Sequence, residues 1–162
     1  MKKILFVIIG LSVAISATIT RDSTKEVIVD TNTKLMWQDN SKAKSKTLKW
    51  ADAIDYCENL KLAGYTDWRL PNIRELKSIV DLNKVNPAIV DGFENVEPSD
   101  YWSSSALKGD TYFAWYVHFY KGDDFWHHKD NSHYVRCVRD NDWWLFLFMF
   151  SHSCGNMSII TT

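Results

Sequence analysis

Behind Lys2 and Lys3 the chain runs uncharged and mostly apolar from Ile4 to Ala17, broken only by Gly10, Ser12 and Ser16. A charged start, an apolar stretch and a small-residue exit form the pattern of a secretory signal peptide. Residues 1–17 are therefore read as a removable leader, with the cut after Ser16 or Ala17. The alternative is a permanent N-terminal anchor, which fourteen residues serve poorly, since a span needs about 20. Residues 18–25 follow as a polar linker.

From Glu26 the pattern changes. Glu26–Asp30 and Leu35–Asp39 read as a short hairpin, with Asp30-Thr31-Asn32-Thr33 as turn formers. Asn40–Ser45 is a polar loop. Trp50, Ile54, Cys57 and Leu60 then recur at helical spacing, predicting a helix over about Leu48–Leu62, capped by Thr47 and stopped near Gly64. Trp68-Arg69-Leu70 is extended ahead of Pro71. Asn72-Ile73-Arg74-Glu75 is a capping arrangement that opens a second helix to about Leu82, with Leu76, Ile79 and Val80 inward. A long loop, 83–100, separates it from four strands: Tyr101–Ser105, Thr111–Tyr120, Asp124–His128 and His133–Arg139. Lys121-Gly122-Asp123 and Lys129-Asp130-Asn131 supply the turns. The fold class predicted is α+β, two helices packed on small antiparallel sheets.

Composition narrows this reading. With 162 residues the chain fits one domain. Its 19 basic and 20 acidic residues leave a net charge of −1, so there is no basic excess to attract nucleic acid. Loss of the leader removes two lysines and takes the charge to −3. Export, to the periplasm or outside the cell, places the cysteines in an oxidising compartment. Cys57 lies on the inward stripe of the first helix and Cys137 within the last strand, which suggests a disulfide between them; the alternative is two buried free thiols. Cys154 is left over. It belongs to an atypical tail, 141–162, whose Trp143–Phe150 are eight apolar residues in a row. An added strand, an oligomer contact and a shifted reading frame would each account for that tail.

Six motifs then follow in order. They are Thr33-Lys34-Leu35-Met36-Trp37-Gln38-Asp39, Trp50-Ala51-Asp52-Ala53-Ile54-Asp55-Tyr56-Cys57, Gly64-Tyr65-Thr66-Asp67-Trp68-Arg69-Leu70-Pro71-Asn72, Tyr101-Trp102-Ser103-Ser104-Ser105, Ala114-Trp115-Tyr116-Val117 and Tyr134-Val135-Arg136-Cys137-Val138-Arg139. Together they resemble the bacterial secreted family named after the C-terminal domain of the Lcl collagen-like adhesin, over about residues 26–140. The resemblance implies a C-type-lectin-like fold, related more distantly to the formylglycine-generating enzymes, with a helix-to-last-strand disulfide. It also implies an adhesion or envelope role. Lys34 stands where the family usually has Gly, which predicts that the hairpin moves its left-handed residue to Asn32.

The candidate chemistry is mostly aromatic, for the chain holds eight Trp, seven Tyr and eight Phe. On Thr111–Tyr120 the face of Phe113, Trp115, Val117 and Phe119 reads as core. The face of Tyr112, Ala114, Tyr116, His118 and Tyr120 reads as an amphipathic platform for a sugar ring or a protein, joined by Trp102 and Trp126. A second layer covering that face is the alternative. Glu97 and Asp100, in Glu97-Pro98-Ser99-Asp100, are weak calcium candidates. His127 and His128 point to opposite faces, so no zinc set is expected. Arg69 reads as the partner of Asp67 or Glu75. Ser103-Ser104-Ser105 lacks a nucleophile context. The expected function is a non-catalytic module binding carbohydrate or another cell-surface polymer, without cofactor. The alternatives are an enzyme-like relative of the formylglycine-generating group and a structural module whose partner is a protein.

Overall fold

The computed structural model describes residues 18–141; the leader, the tail beyond Asn141 and Cys154 lie outside the described residues. The elements run β1 (Ile19–Asp22), β2 (Val27–Asp30), β3 (Leu35–Gln38), a 3-10 turn (Ser41–Lys44), β4 (Thr47–Leu48), α1 (Trp50–Glu58), α2 (Ile73–Ser78), β5 (Asp100–Leu107), β6 (Asp110–His118), β7 (Asp123–His128), β8 (His133–Tyr134) and β9 (Val138–Asp140). They build a four-stranded sheet, β1-β2-β3-β9, and a five-stranded one, β4-β8-β5-β6-β7. The architecture is α+β, as the pattern of the sequence predicts.

Several boundaries differ from the sequence reading, each for a physical reason. The stretch read as a linker supplies β1, which pairs with β2 from Ile19↔Asp30 to Asp22↔Val27. Thr47 does not cap α1, because it is drawn into β4 opposite Tyr134. The helix ends at Glu58, and Ala63 and Gly64 both take left-handed backbone as the chain turns back. In the first hairpin the left-handed residue is Lys34 itself, at φ 62°, and not Asn32. Asp30 explains this: its carboxylate accepts the Asn32 and Thr33 N–H groups and the Thr33 hydroxyl, which fixes the turn one step earlier. The capping box holds, with the Asn72 side chain accepting from Arg74 and Glu75 while Glu75 accepts the Asn72 N–H. Yet α2 stops at Ser78, since Val80 leaves the helix to bridge Ile89.

The last strand of the sequence reading is in fact two. His133–Tyr134 joins the five-stranded sheet and Val138–Asp140 the four-stranded one, so the three residues between them tie the sheets together. Each of the three is locked. Val135 donates its N–H to the Lys46 carbonyl. Arg136, wholly buried, donates to the Gln38 and Asn95 carbonyls and to Asp39. Cys137 is bonded to Cys57 across 80 residues.

The core has two centres. One gathers Ala53 and Cys57 of α1 with Val27, Met36, Trp68, Trp102, Ala114 and Cys137. The other gathers Leu76 and Ile79, at α2, with Ile28, Trp37, Tyr101, Val117, Phe119 and Val138. Neighbouring residues such as Tyr101 and Trp102, or Val27 and Ile28, go to different centres because successive strand side chains alternate sides. Residues on both faces of each sheet thus reach the core, which is why much of the aromatic content is interior.

Candidate binding surface

At one edge of the five-stranded sheet lies the hairpin of β6 and β7. Its register pairs Phe113↔His128, Ala114↔His127, Trp115↔Trp126, Tyr116↔Phe125, Val117↔Asp124 and His118↔Asp123. Cross-strand partners share a face, so the hairpin presents two aromatic surfaces, not one.

On the α1 side, Tyr116 leans edge-on against Trp102 at 6.3 Å and packs on His133 at 4.8 Å. Phe125, about half exposed, continues that surface at 6.1 Å from Tyr116. A row of polar rings runs beside them. His118 Nδ1 lies 2.7 Å from one oxygen of Asp100, and the other oxygen is 3.6 Å from His133 Nδ1. His133 Nε2 then meets His127 Nδ1 at 3.0 Å, so one of those nitrogens carries the shared proton. Four strands each contribute one member of this row: Asp100 from β5, His118 from β6, His127 from β7 and His133 from β8. Burial pushes the His133 imidazole down to about 4, with Asp100 opposing and His127 adding to the shift. His133 is therefore neutral at physiological pH. The Tyr116 hydroxyl is raised, first by burial and then by Asp100. Tyr120 flanks the row at 6.1 Å from His118.

On the opposite side, Trp115 and Trp126 meet edge to face at 5.3 Å. Phe113 touches His128 at 5.5 Å, and Tyr112 stacks nearly parallel on His128 at 6.1 Å. Val117 and Phe119, further along β6, belong to the core around α2. Both faces are core at one end and open at the other, which corrects the division into a core face and a platform.

The six residues expected to form one platform are therefore split. Tyr116, His118 and Tyr120 lie together; Tyr112 and Trp126 lie with the second surface. Trp102 is fully buried, its Nε1 donating to the Leu48 carbonyl at 3.0 Å, so it supports Tyr116 from beneath rather than lying on the surface. Phe125 and His133 are not among those six, and His127 enters the sequence reading only as a rejected zinc ligand. Alternation along Asp124–His128 would have placed Phe125 and His127 beside Tyr116 had the register across the turn been known.

The other candidates each have partners within the protein. Arg69 grips Glu75 through two bonds of 2.7 and 2.8 Å, while Asp67 is taken by Arg139. Burial would raise Glu75, but Arg69 and the Asn72 N–H outweigh it and hold its pKa below the usual value. Ser103 donates to the Trp115 carbonyl and Ser105 accepts the Ile73 N–H. Asp100 faces the two histidines, and the Glu97 N–H donates to the Tyr101 hydroxyl. Among the described residues no group of three or more His, Cys, Asp or Glu is gathered as metal ligands would be. A groove of about 330 Å³ between Ile19, Asn32, Ser78 and Val90 lies away from both aromatic surfaces.

These features define a disulfide-bridged α+β domain whose exposed aromatics are concentrated on one edge hairpin. The model of one family, the Lcl C-terminal domain, matches residues 26–139, and the chain belongs to that family. The match takes in both helices and every strand from β2 to the Arg139 position of β9. No curated protein matches the sequence.

Proposed function

We propose that this chain is an exported, non-catalytic binding module of C-type-lectin-like kind, with an adhesion or envelope role, whose ligand is carbohydrate or another cell-surface polymer. One observation carries the reading: Tyr116, Phe125 and Tyr120 surround the row of Asp100, His118, His127 and His133. An aromatic face beside polar groups suits a sugar ring, which offers an apolar C–H face and hydroxyls at its rim. Export is supported by the leader pattern and by the Cys57–Cys137 bond, which persists in oxidising compartments. That bond also leaves neither cysteine free as a nucleophile, which favours binding over the enzyme-like alternative.

The test is glycan-array binding, with and without calcium, by the wild type and by a Tyr120→Ala, Phe125→Ala double variant. Both residues are exposed, so the fold should survive, as thermal melting will check. Binding should fall at least about tenfold, a loss of roughly 1.4 kcal/mol. Equal binding by the double variant, or no glycan bound by the wild type, sinks the proposal. A loss confined to Trp126→Ala would move the site to the opposite face.

A further inference from the structure

Strand β7 is the outermost strand of the five-stranded sheet, and among the described residues it pairs on one side alone. Its register with β6 is unbroken from Phe113↔His128 to His118↔Asp123. Proteins commonly blunt such an edge with a bulge, a proline or a lysine. This one, Asp123-Asp124-Phe125-Trp126-His127-His128, has none of them and exposes Phe125 at 48% and Trp126 at 52%.

Which backbone groups are open follows from the ladder. The Lys129 N–H donates to the Tyr112 carbonyl at 2.9 Å. In an antiparallel pair the bonded direction alternates residue by residue. Asp123, Phe125 and His127 therefore turn their N–H and C=O groups toward β6, while Asp124 and Trp126 turn theirs outward; His128 offers its N–H alone, since its C=O accepts the N–H and the side-chain amide of Asn131.

We propose that this edge pairs with the same edge of a second copy of the chain, antiparallel, about a two-fold axis at Trp126. A two-fold axis normal to the sheet keeps every residue on its own face, so opposed residues must be of the same parity. The register centred on Trp126 meets that condition. It sets Trp126 against the partner's Trp126, Phe125 against the partner's His127, and Asp124 against the partner's His128, the last two contacts each formed twice. All three outward residues then find partners, closing about four backbone hydrogen bonds. Centring on Phe125 would oppose Asp124 to Trp126 and leave His128 without a partner.

The order of charges selects the direction. Two acids at one end and two histidines at the other attract when the strands run antiparallel. Parallel strands would bring the acids of both copies together, which like-charge repulsion opposes. The side chains are also prepared for the contact. His128 Nδ1 accepts the Asp130 N–H at 3.3 Å, which leaves its proton on Nε2 as the donor to a carboxylate. Asp124 is held in place by Lys77. Such a dimer would continue the sheet from five strands to ten and set two Tyr116–Phe125 surfaces side by side on one face.

Sedimentation equilibrium on the full chain carrying Cys154→Ser, which removes an intermolecular disulfide as a cause, should show dimer growing between about 1 µM and 1 mM. Over that range, hydrogen exchange at the amides of Trp126 and His128 should slow at least tenfold, with Phe125 and His127 unchanged. His128→Asp should weaken the dimer at least tenfold, and adding Asp124→His should restore it by exchanging the charges. A chain that stays monomeric, a dimer that leaves the two amides unprotected, or a dimer indifferent to His128→Asp overturns the proposal. A different protein captured on this edge while the pure chain stays monomeric overturns it too. The exchange pattern is read on the native β7 sequence, so the test stands even where a substitution in that strand prevents folding.

Discussion

His133 illustrates what burial does to one residue. Only 7% of it is exposed, and its imidazole takes a proton near 4, whereas in the unfolded chain it does so near the ordinary 6.5. Between those values the unfolded state binds more protons than the folded one. Stability is therefore fully present above about 6.5, falls as pH drops through the window, and levels off below about 4 as far as this residue is concerned. The whole shift corresponds to something on the order of 3 kcal/mol. Urea denaturation midpoints should accordingly decline from pH 7 to 4.5, above most carboxylate titration. His133→Gln should flatten that slope, and an unchanged slope in the variant would refute the assignment. None of this was legible in the sequence, where His133 is one of four histidines in a short stretch. Its neighbours come from four separate strands.

At the level of elements, local chemistry was read well where it was self-contained. The Asn72–Glu75 capping box needs only residues three apart, and it forms as expected. Helix α1 came out shorter than its periodicity suggested, because Thr47 and Leu48 gain more as a strand against β8 than as a first helical turn. Periodicity reports which residues share a face, not whether a competing strand is near. The turn at Lys34 is a third case. A lysine with φ 62° sits where the side chain crowds the backbone, at about 1–2 kcal/mol per residue. Lys34→Gly should relieve that crowding against the greater entropy of a glycine in the unfolded chain. A net stabilisation of about 0.5–1 kcal/mol is expected, measured by chemical denaturation. A destabilised Lys34→Gly would mean that the lysine side chain contributes more than its backbone strain removes.

For the whole molecule, the decisive feature is the joining of the two sheets through residues 135–137. Asp39 is the polar centre of the junction. Wholly buried, it accepts from Arg21 at 2.8 Å, from Arg136 at 3.1 Å and from the N–H groups of Glu94 and Asn95. The long loop 83–100 is thereby fastened to the core; Phe93 also lies 4.8 Å from the Arg136 guanidinium. The disulfide closes the same junction from the other side, linking α1 to the crossing segment. Removing it by Cys57→Ala with Cys137→Ala should cost about 2–5 kcal/mol, seen as a lower denaturation midpoint in the variant than in the oxidised protein. A loss below about 1 kcal/mol would show that the buried Asp39–Arg136 network fixes the crossing without it.

The sequence by itself determined what depends on neighbours along the chain: the fold class, the capping box and the aromatic wealth of Thr111–Tyr120. Six ordered motifs also carried the family resemblance that the match over residues 26–139 bears out. It suggested the Cys57–Cys137 pair as well, because one cysteine fell on each of two elements expected to pack. Tertiary structure alone decided the division of aromatics between two surfaces, since this follows from the register across the β6–β7 turn and from how far each helix reaches. It alone split the last strand between two sheets and gathered Asp100, His118, His127 and His133 into one row. Such arrangements are sums of contacts between residues far apart in the chain, and no local pattern encodes the distance at which those residues meet.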